Sequence, residues 1–161
     1  MYVVVGTTGH TGNVVAEKLL ANREKVRVVG RDERRLERFK QRGAEAFVGD
    51  VTDASTMARA FSGADAAYVM LPPNISSPNV LAYQQRVSEA LAAALENNGV
   101  RHAVVLSSFG ADKADRTGPV VGLHTLEKKL DAIPGLNVLF IRYARATSWR
   151  TSCLRSMSFH P

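Results

Sequence analysis

A chain of 161 residues, 45% of them hydrophobic, can bury one real core and fits one domain. No apolar run approaches the ~20 residues a membrane span needs, and the chain enters its first strand without a signal-peptide pattern, so a soluble, cytoplasmic protein is expected. The formal charge of +6 would suit a nucleic acid, yet RDERRLERFKQR mixes both signs as a solvated helix face does, and Arg145, Arg150 and Arg155 crowd into the chain end, so no nucleic-acid partner is expected.

Six short, Val-rich stretches read as strands in chain order: YVVV, VRVV, EAFV, AAYVM, HAVVL and NVLFI. Most are apolar on both faces, which belongs in the middle of a covered parallel sheet. Between them lie helix-length stretches over Gly12–Asn22, Glu33–Arg42, Ala54–Phe61, Val80–Asn98 and Leu123–Ile133, with Asp53 placed as an N-cap and Gly63 and Gly99 where helices end. This alternation predicts an α/β fold, a doubly wound parallel sheet of the Rossmann type in three αβα layers with strand order 3-2-1-4-5-6. The lone Cys153 has no partner for a disulfide or a thiolate zinc site, and no metal is expected.

The stretch VVVGTTGHTGNVVAEKLL carries the chemistry. Gly6, Gly9 and Gly12 follow the first strand and open a helix whose free N–H groups and dipole favour an anion. Glycine permits a sharp turn and lets a pyrophosphate approach the backbone; the alternative is a tight turn with no ligand. A Walker loop is excluded because no Gly-Lys-Ser/Thr follows. A methyltransferase with the same sheet matches neither the glycine loop nor the end of the second strand.

The residues GTTGHTG resemble the GATGxxG loop of atypical short-chain dehydrogenase/reductases, and within them the chain most resembles the NmrA-like family. The resemblance implies an NAD(P)-binding domain over residues 1–142, with Gly6, Thr8, Gly9, His10, Thr11 and Gly12 around the pyrophosphate. Arg31, in VVGRDERR, stands where an NADP site offers an arginine to the extra phosphate; NADP(H) is preferred, and Asp32 keeps NAD(H) open. Asp50 and Val51, in GDVTD, fall beside the adenine, although Asp50 reads equally as a turn residue. Leu71 and Pro72, followed by Pro73 in MLPPN, would wall the nicotinamide side, where a rigid loop without contact is the alternative. Ser107 and Ser108 end the fifth strand on the ligand-binding edge, with Ser107 a candidate for cofactor contact and catalysis.

Short-chain dehydrogenases use Tyr-x-x-x-Lys on the next helix, where the ammonium helps a phenol pass a proton. The corresponding residues in GLHTLEKKL are His124 and Lys128, which share a helix face at i, i+4. On the resemblance, His124 donates a proton and Lys128 holds the nicotinamide ribose; the alternative is an exposed helix start with Glu127 and Lys128 solvated. A missing tyrosine argues against alcohol dehydrogenase chemistry. Related NmrA-like chains that lack it include NAD(P)H-dependent quinone or azo reductases, and redox sensors that bind the dinucleotide and act through a protein partner. A quinone needs less proton help, because hydride acceptance leaves a stabilised phenolate. The expected partners are thus a dinucleotide and a small-molecule acceptor.

Residues 143–161, YARATSWRTSCLRSMSFHP, show neither helical nor strand periodicity. Family members continue from the sixth strand with a sequence like R-A-G-Y-F-M-E-N-L. Codons CGG GCT ACT TCA TGG AGA ACC TCC would encode Arg145 to Ser152, and read two bases later they give Gly-Tyr-Phe-Met-Glu-Asn-Leu. The expectation is a frameshifted tail in place of the family's C-terminal portion. It would leave roughly half of a full member, either self-associating through exposed apolar surface or inactive. The gene sequence tests this: codons that forbid the shifted reading remove it.

Overall fold

The computed structural model describes residues 1–74, 76–114 and 117–143; of the tail expected over 143–161, residues 144–161, with Cys153 among them, lie outside the described residues. Strands β1 (Tyr2–Val5), β2 (Val26–Gly30), β3 (Glu45–Val48), β4 (Ala66–Met70), β5 (His102–Ser108) and β6 (Asn137–Tyr143) alternate with helices. The helices are α1 (His10–Ala21), α2 (Glu33–Lys40), α3 (Ala54–Ala60), α4 (Val80–Asn97) and α5 (Val121–Asp131), the last entered through a 3-10 turn at Gly118–Val120. All six strands run parallel in the order β3-β2-β1-β4-β5-β6, as the alternation of elements predicts. The order reverses between β1 and β4, and at such a reversal the crevice beyond the carboxyl ends of the strands accepts ligands.

Alternation along each strand divides the core. Val3, Val5, Val29, Ala67, Val69 and Val105 face the layer of α3, α4 and α5. Val4, Val28 and Tyr68 face α1 and α2, where Leu36 and Phe39, three residues apart on α2, are almost wholly buried. Helices α1 and α2 pack on β1, β2 and β3. On β6, Val138 and Phe140 pack into the α4/α5 side, whereas Leu139 and Ile141 remain 55% and 45% exposed. Among the described residues the sixth strand is therefore packed against helices on one face, unlike the middle strands.

One charge sits inside this sheet. Arg27 is 9% exposed on β2, pairs in register with Glu45 of β3, and binds its carboxylate while donating to the carbonyls of Ala60 and Ser62 at the end of α3. Those carbonyls are unpaired acceptors at a helix terminus, so Nη1 of the buried guanidinium is satisfied there and Nη2 by Glu45, which balances the charge.

Element ends differ slightly from the sequence reading. Helix α1 begins at His10, two residues before Gly12, because Gly9 lies in extended backbone and acts as the N-cap. Helix α5 begins at Val121 because the 3-10 turn feeds it, and β6 includes Tyr143, one residue past the boundary read at 142. Asp53 caps α3 as expected, accepting from Ser55 N and Thr56 N and from both hydroxyls. Hydrogen bonds from Thr56 first and Ser55 next lower its pKa to about 2. A depressed carboxyl pKa stabilises the fold above the unfolded-state value and loses that contribution as pH falls through the folded value. Asp53→Ala should therefore lower Tm at pH 7, and the gap to wild type should narrow from about pH 4 down through pH 2 in thermal melts. A gap at pH 2 as wide as at pH 7 would contradict this.

Candidate functional site

The three glycines after β1 have different structural reasons. Gly6 has φ +75, the left-handed region, and a Cβ on it would press within 2.5 Å of the Met70 sulfur. Gly12 lies in the first turn of α1, where a Cβ would overlap the Gly6 carbonyl. These two let the turn form and the helix close on it. Gly9 has φ −92 and ψ 170, which any residue adopts, and a Cβ there would meet only the Gly6 oxygen at 3.4 Å. Packing thus requires glycine at positions 6 and 12 and leaves position 9 free. Its bare, exposed backbone suits a group approaching from outside.

The same helix start carries unused donors. Gly9 N donates to Gly6 O at 3.0 Å and Asn13 N to Gly9 O at 3.1 Å, which places His10, Thr11 and Gly12 in the first turn, where N–H groups lack intrahelical partners. Helices α2, α3 and α4 satisfy such donors with Asp32, Asp53 and Asn79; α1 has no capping side chain. With no acid in its first turn either, this end of the dipole is positive and open. The arrangement fits a diphosphate.

Thr8, His10 and Thr11 are exposed around this turn. Beside it a depression of about 310 Å³ is lined by Thr8, Arg34, Arg35 and Arg38. Arg31, expected to meet an extra phosphate, is exposed just past β2 and is not among the residues that line this depression. The arginines of α2, read from the sequence as a solvated face, are the cationic wall of this depression; their i, i+3 and i, i+4 spacing, which puts them on one side of the helix after β2, was the available signal. Asp32 is occupied: it accepts from Arg34 N at 3.0 Å and lies 3.7 Å from the Arg35 guanidinium. Asp50 Oδ1 accepts from the backbone N–H and hydroxyl of Thr52, both at 2.8 Å, so it serves a turn. Val51 is 7% exposed and Leu71 8%, both packed in the core with only an edge outward, while Pro72 is half-buried. Sequence reasoning missed Tyr83 of α4, which is buried and whose phenol is pushed up in pKa by that burial, with Arg31 and Asp50 the charges near enough to act on it.

At the other end of the edge the helix after β5 presents a mixed picture. His124 Nδ1 lies 2.8 Å from the Ala111 carbonyl, which can only accept, so Nδ1 carries a proton and Nε2 is the free nitrogen. Lys128 is exposed. Glu127, one of the residues an exposed helix start would leave solvated, is 5% exposed instead. It accepts the Ser107 hydroxyl at 2.6 Å and is held by Arg142 through Nε at 3.2 Å and Nη2 at 2.7 Å. A signal was present: Glu127 falls within the apolar stripe of Leu123, Leu126 and Leu130 at helical spacing. The structure thus brings Gly6, Thr8, Gly9, His10, Thr11 and Gly12 together at one turn, and gathers Ser107 and His124 around α5.

This fold and helix start define a dinucleotide-binding α/β chain, and comparison with known proteins agrees. Residues 6–139 match the NAD(P)H-binding family, and the chain belongs to it. It is 28% identical to an NAD(P)H azoreductase of Xenophilus azovorans over 111 residues, covering 69% of this chain and 36% of that protein. It is 34% identical over 115 residues to a (4-alkanoyl-5-oxo-2,5-dihydrofuran-3-yl)methyl phosphate reductase of Streptomyces griseus, covering 71% of this chain and 37% of that one. The chain therefore spans little more than a third of these relatives. A triphenylmethane reductase of Citrobacter complexed with NADP(H) shares the fold with a TM-score of 0.78 at 17% identity, over 91% of this chain and 50% of that one. An NADPH-dependent quinone oxidoreductase of Escherichia coli does so with a TM-score of 0.73 at 16% identity, over 88% and 48%. Among the described residues no helix is long and apolar enough to cross a membrane.

The contrast between the glycines is directly testable. Gly9→Ser supplies a good N-cap, so Tm should hold or rise while dinucleotide affinity falls at least ~10-fold, because the hydroxyl claims the same donors and its Cβ fills the approach. Gly12→Ala should destabilise by about 1–3 kcal/mol through overpacking. Thermal melts and fluorescence titration read both; a Gly9→Ser chain that binds like wild type would contradict this assignment.

Proposed function

We propose that this chain is the cofactor-binding part of an NAD(P)H-dependent oxidoreductase that prefers NADPH and reduces quinone-like or azo acceptors. The observation that carries the reading is Gly9, a glycine that packing does not require, at the open start of α1. The reductases among its relatives support the reaction class. Preference for NADPH is supported by Arg34, Arg35 and Arg38 beside Thr8, and by Asp32 being taken up as the cap of α2, away from a ribose hydroxyl.

When bound, the nicotinamide supplies a hydride. The chain's own residues bind and orient it. First-turn amides of α1 hold the diphosphate, the α2 arginines meet the 2′-phosphate, Asp50 and Val51 border the adenine, and Leu71 and Pro72 form the wall of the nicotinamide side. Lys128 holds the ribose. His124 delivers a proton from Nε2, since the Ala111 carbonyl retains the hydrogen on Nδ1. Such a donor acts only as imidazolium, a weaker arrangement than a tyrosine beside a lysine, and one that a quinone or azo acceptor tolerates. A second reading, a dinucleotide sensor without turnover that acts through a protein partner, is favoured by the Ser107 hydroxyl being spent on Glu127.

Titration of the purified chain with NADPH and NADH, followed by NADPH oxidation with and without a benzoquinone, tests the proposal. NADPH should bind at least ~10-fold tighter than NADH, the gap should shrink in an Arg34→Ala, Arg35→Ala chain, and oxidation should depend on the quinone. Tight binding with no quinone-dependent oxidation would establish the sensor reading instead, and absence of binding would overturn both.

A further inference from the structure

Glu127 is a buried carboxylate to which the proposed reaction gives no part, and with its two partners it joins three elements. Ser107 is the penultimate residue of β5, Arg142 is its Cα partner on β6, and Glu127 reaches both from α5. Arg142 donates to both carboxylate oxygens of Glu127, Nε to Oε1 and Nη2 to Oε2, the bidentate geometry of a guanidinium–carboxylate ion pair. An ionised carboxylate only accepts, and a serine hydroxyl has one hydrogen. At 2.6 Å that hydrogen is committed to Glu127, so anything approaching Ser107 from the ligand side meets lone pairs.

Ser107 also stands at a particular level of the sheet. Met70 of β4 pairs with Leu106 of β5, which sets Leu71 and Ser107 side by side at the carboxyl edge, toward the nicotinamide end of the site proposed above. A serine restricted to accepting can take an N–H from a ligand. It cannot protonate an acceptor, because that would leave an alkoxide against a carboxylate in a buried place.

Building on the dinucleotide reading, we propose that Glu127 is a positioning residue that fixes Ser107 as a hydrogen-bond acceptor for the carboxamide N–H of nicotinamide, so that Ser107 recognises the cofactor and the proton for the acceptor comes from α5. Arg142 is the second part of the device, since it holds the carboxylate in place and charged.

Three ligands separate this role from a structural one: NADPH, its 3-acetylpyridine analogue, in which a methyl replaces the amide NH₂, and 2′-phospho-ADP-ribose, which lacks the ring. Wild type should bind NADPH ~10-fold tighter than the analogue, the factor expected for one hydrogen bond made in a buried setting. Ser107→Ala should reduce that gap to within about twofold. Glu127→Gln should do the same, because Arg142 would hold the amide oxygen and turn its NH₂ toward Ser107, making the serine a donor. Both variants should keep the wild-type affinity for 2′-phospho-ADP-ribose, which also reports that they fold. A gap unchanged in Ser107→Ala, or variants that lose affinity equally for all three ligands, would overturn the inference. Wild type binding 2′-phospho-ADP-ribose with no gap between the other two would overturn it alone. Wild type binding none of the three would overturn the dinucleotide reading and this inference with it.

Discussion

The N–H groups of the first turn of α1 have no partner inside the helix and no side chain to cap them, and the rest of the site is arranged around that fact. A helix start satisfied by its own sequence, as at Asp32, Asp53 and Asn79, has little left for a ligand. Here the unsatisfied end sits where the strand order reverses, so the positive end of the dipole opens on the crevice between β1 and β4. Each such donor is worth only ~1 kcal/mol to an exposed anion, and a diphosphate is attractive because it engages several at once. Gly6 and Gly12 make the turn sterically feasible, and Gly9 keeps its outer surface bare.

The α5 side works by a different principle, in which buried charge supplies direction. Arg142, Glu127 and Ser107 tie β6, α5 and β5 together near the carboxyl edge of the sheet, and the tie commits the Ser107 hydroxyl hydrogen to Glu127. Glu127 is buried while Arg142 keeps 44% of its side chain exposed, so the pair adds little net stability, yet removing the arginine would leave a buried carboxylate uncompensated. Its value lies in orientation. His124 is fixed in the same way by Ala111, so two adjacent groups on the edge have set polarity before any ligand arrives.

Much of the fold was legible in the sequence because parallel strands buried on both faces leave runs such as YVVV and AAYVM that few other structures need. The strand order followed from reading that alternation as a doubly wound sheet of the Rossmann type. The glycine loop was legible in position, although the distinct reasons for Gly6, Gly9 and Gly12 required coordinates: only the backbone path shows which Cβ would collide. Three features were hidden. The arginines of α2 read as a solvated face because their charge was averaged with Glu33 and Glu37, whereas the site depends on which of them turn toward Thr8. Glu127 was passed over because its neighbours Lys128 and Lys129 made the segment look exposed; its place in the apolar stripe outweighed them, since Arg142, distant in sequence, compensates its burial. The uneven cover of β6 likewise depends on how far α1 and α2 reach across the sheet, which no periodicity records.

The central claim is that backbone donors of α1 hold the dinucleotide. Amide nitrogen–proton NMR of the chain titrated with NADP⁺ observes them one by one. The account predicts saturable shifts concentrated on His10, Thr11 and Gly12, with Thr8 and Gly9 following. Shifts confined to other elements, or amides at these three positions that stay in place while the ligand binds, would contradict it.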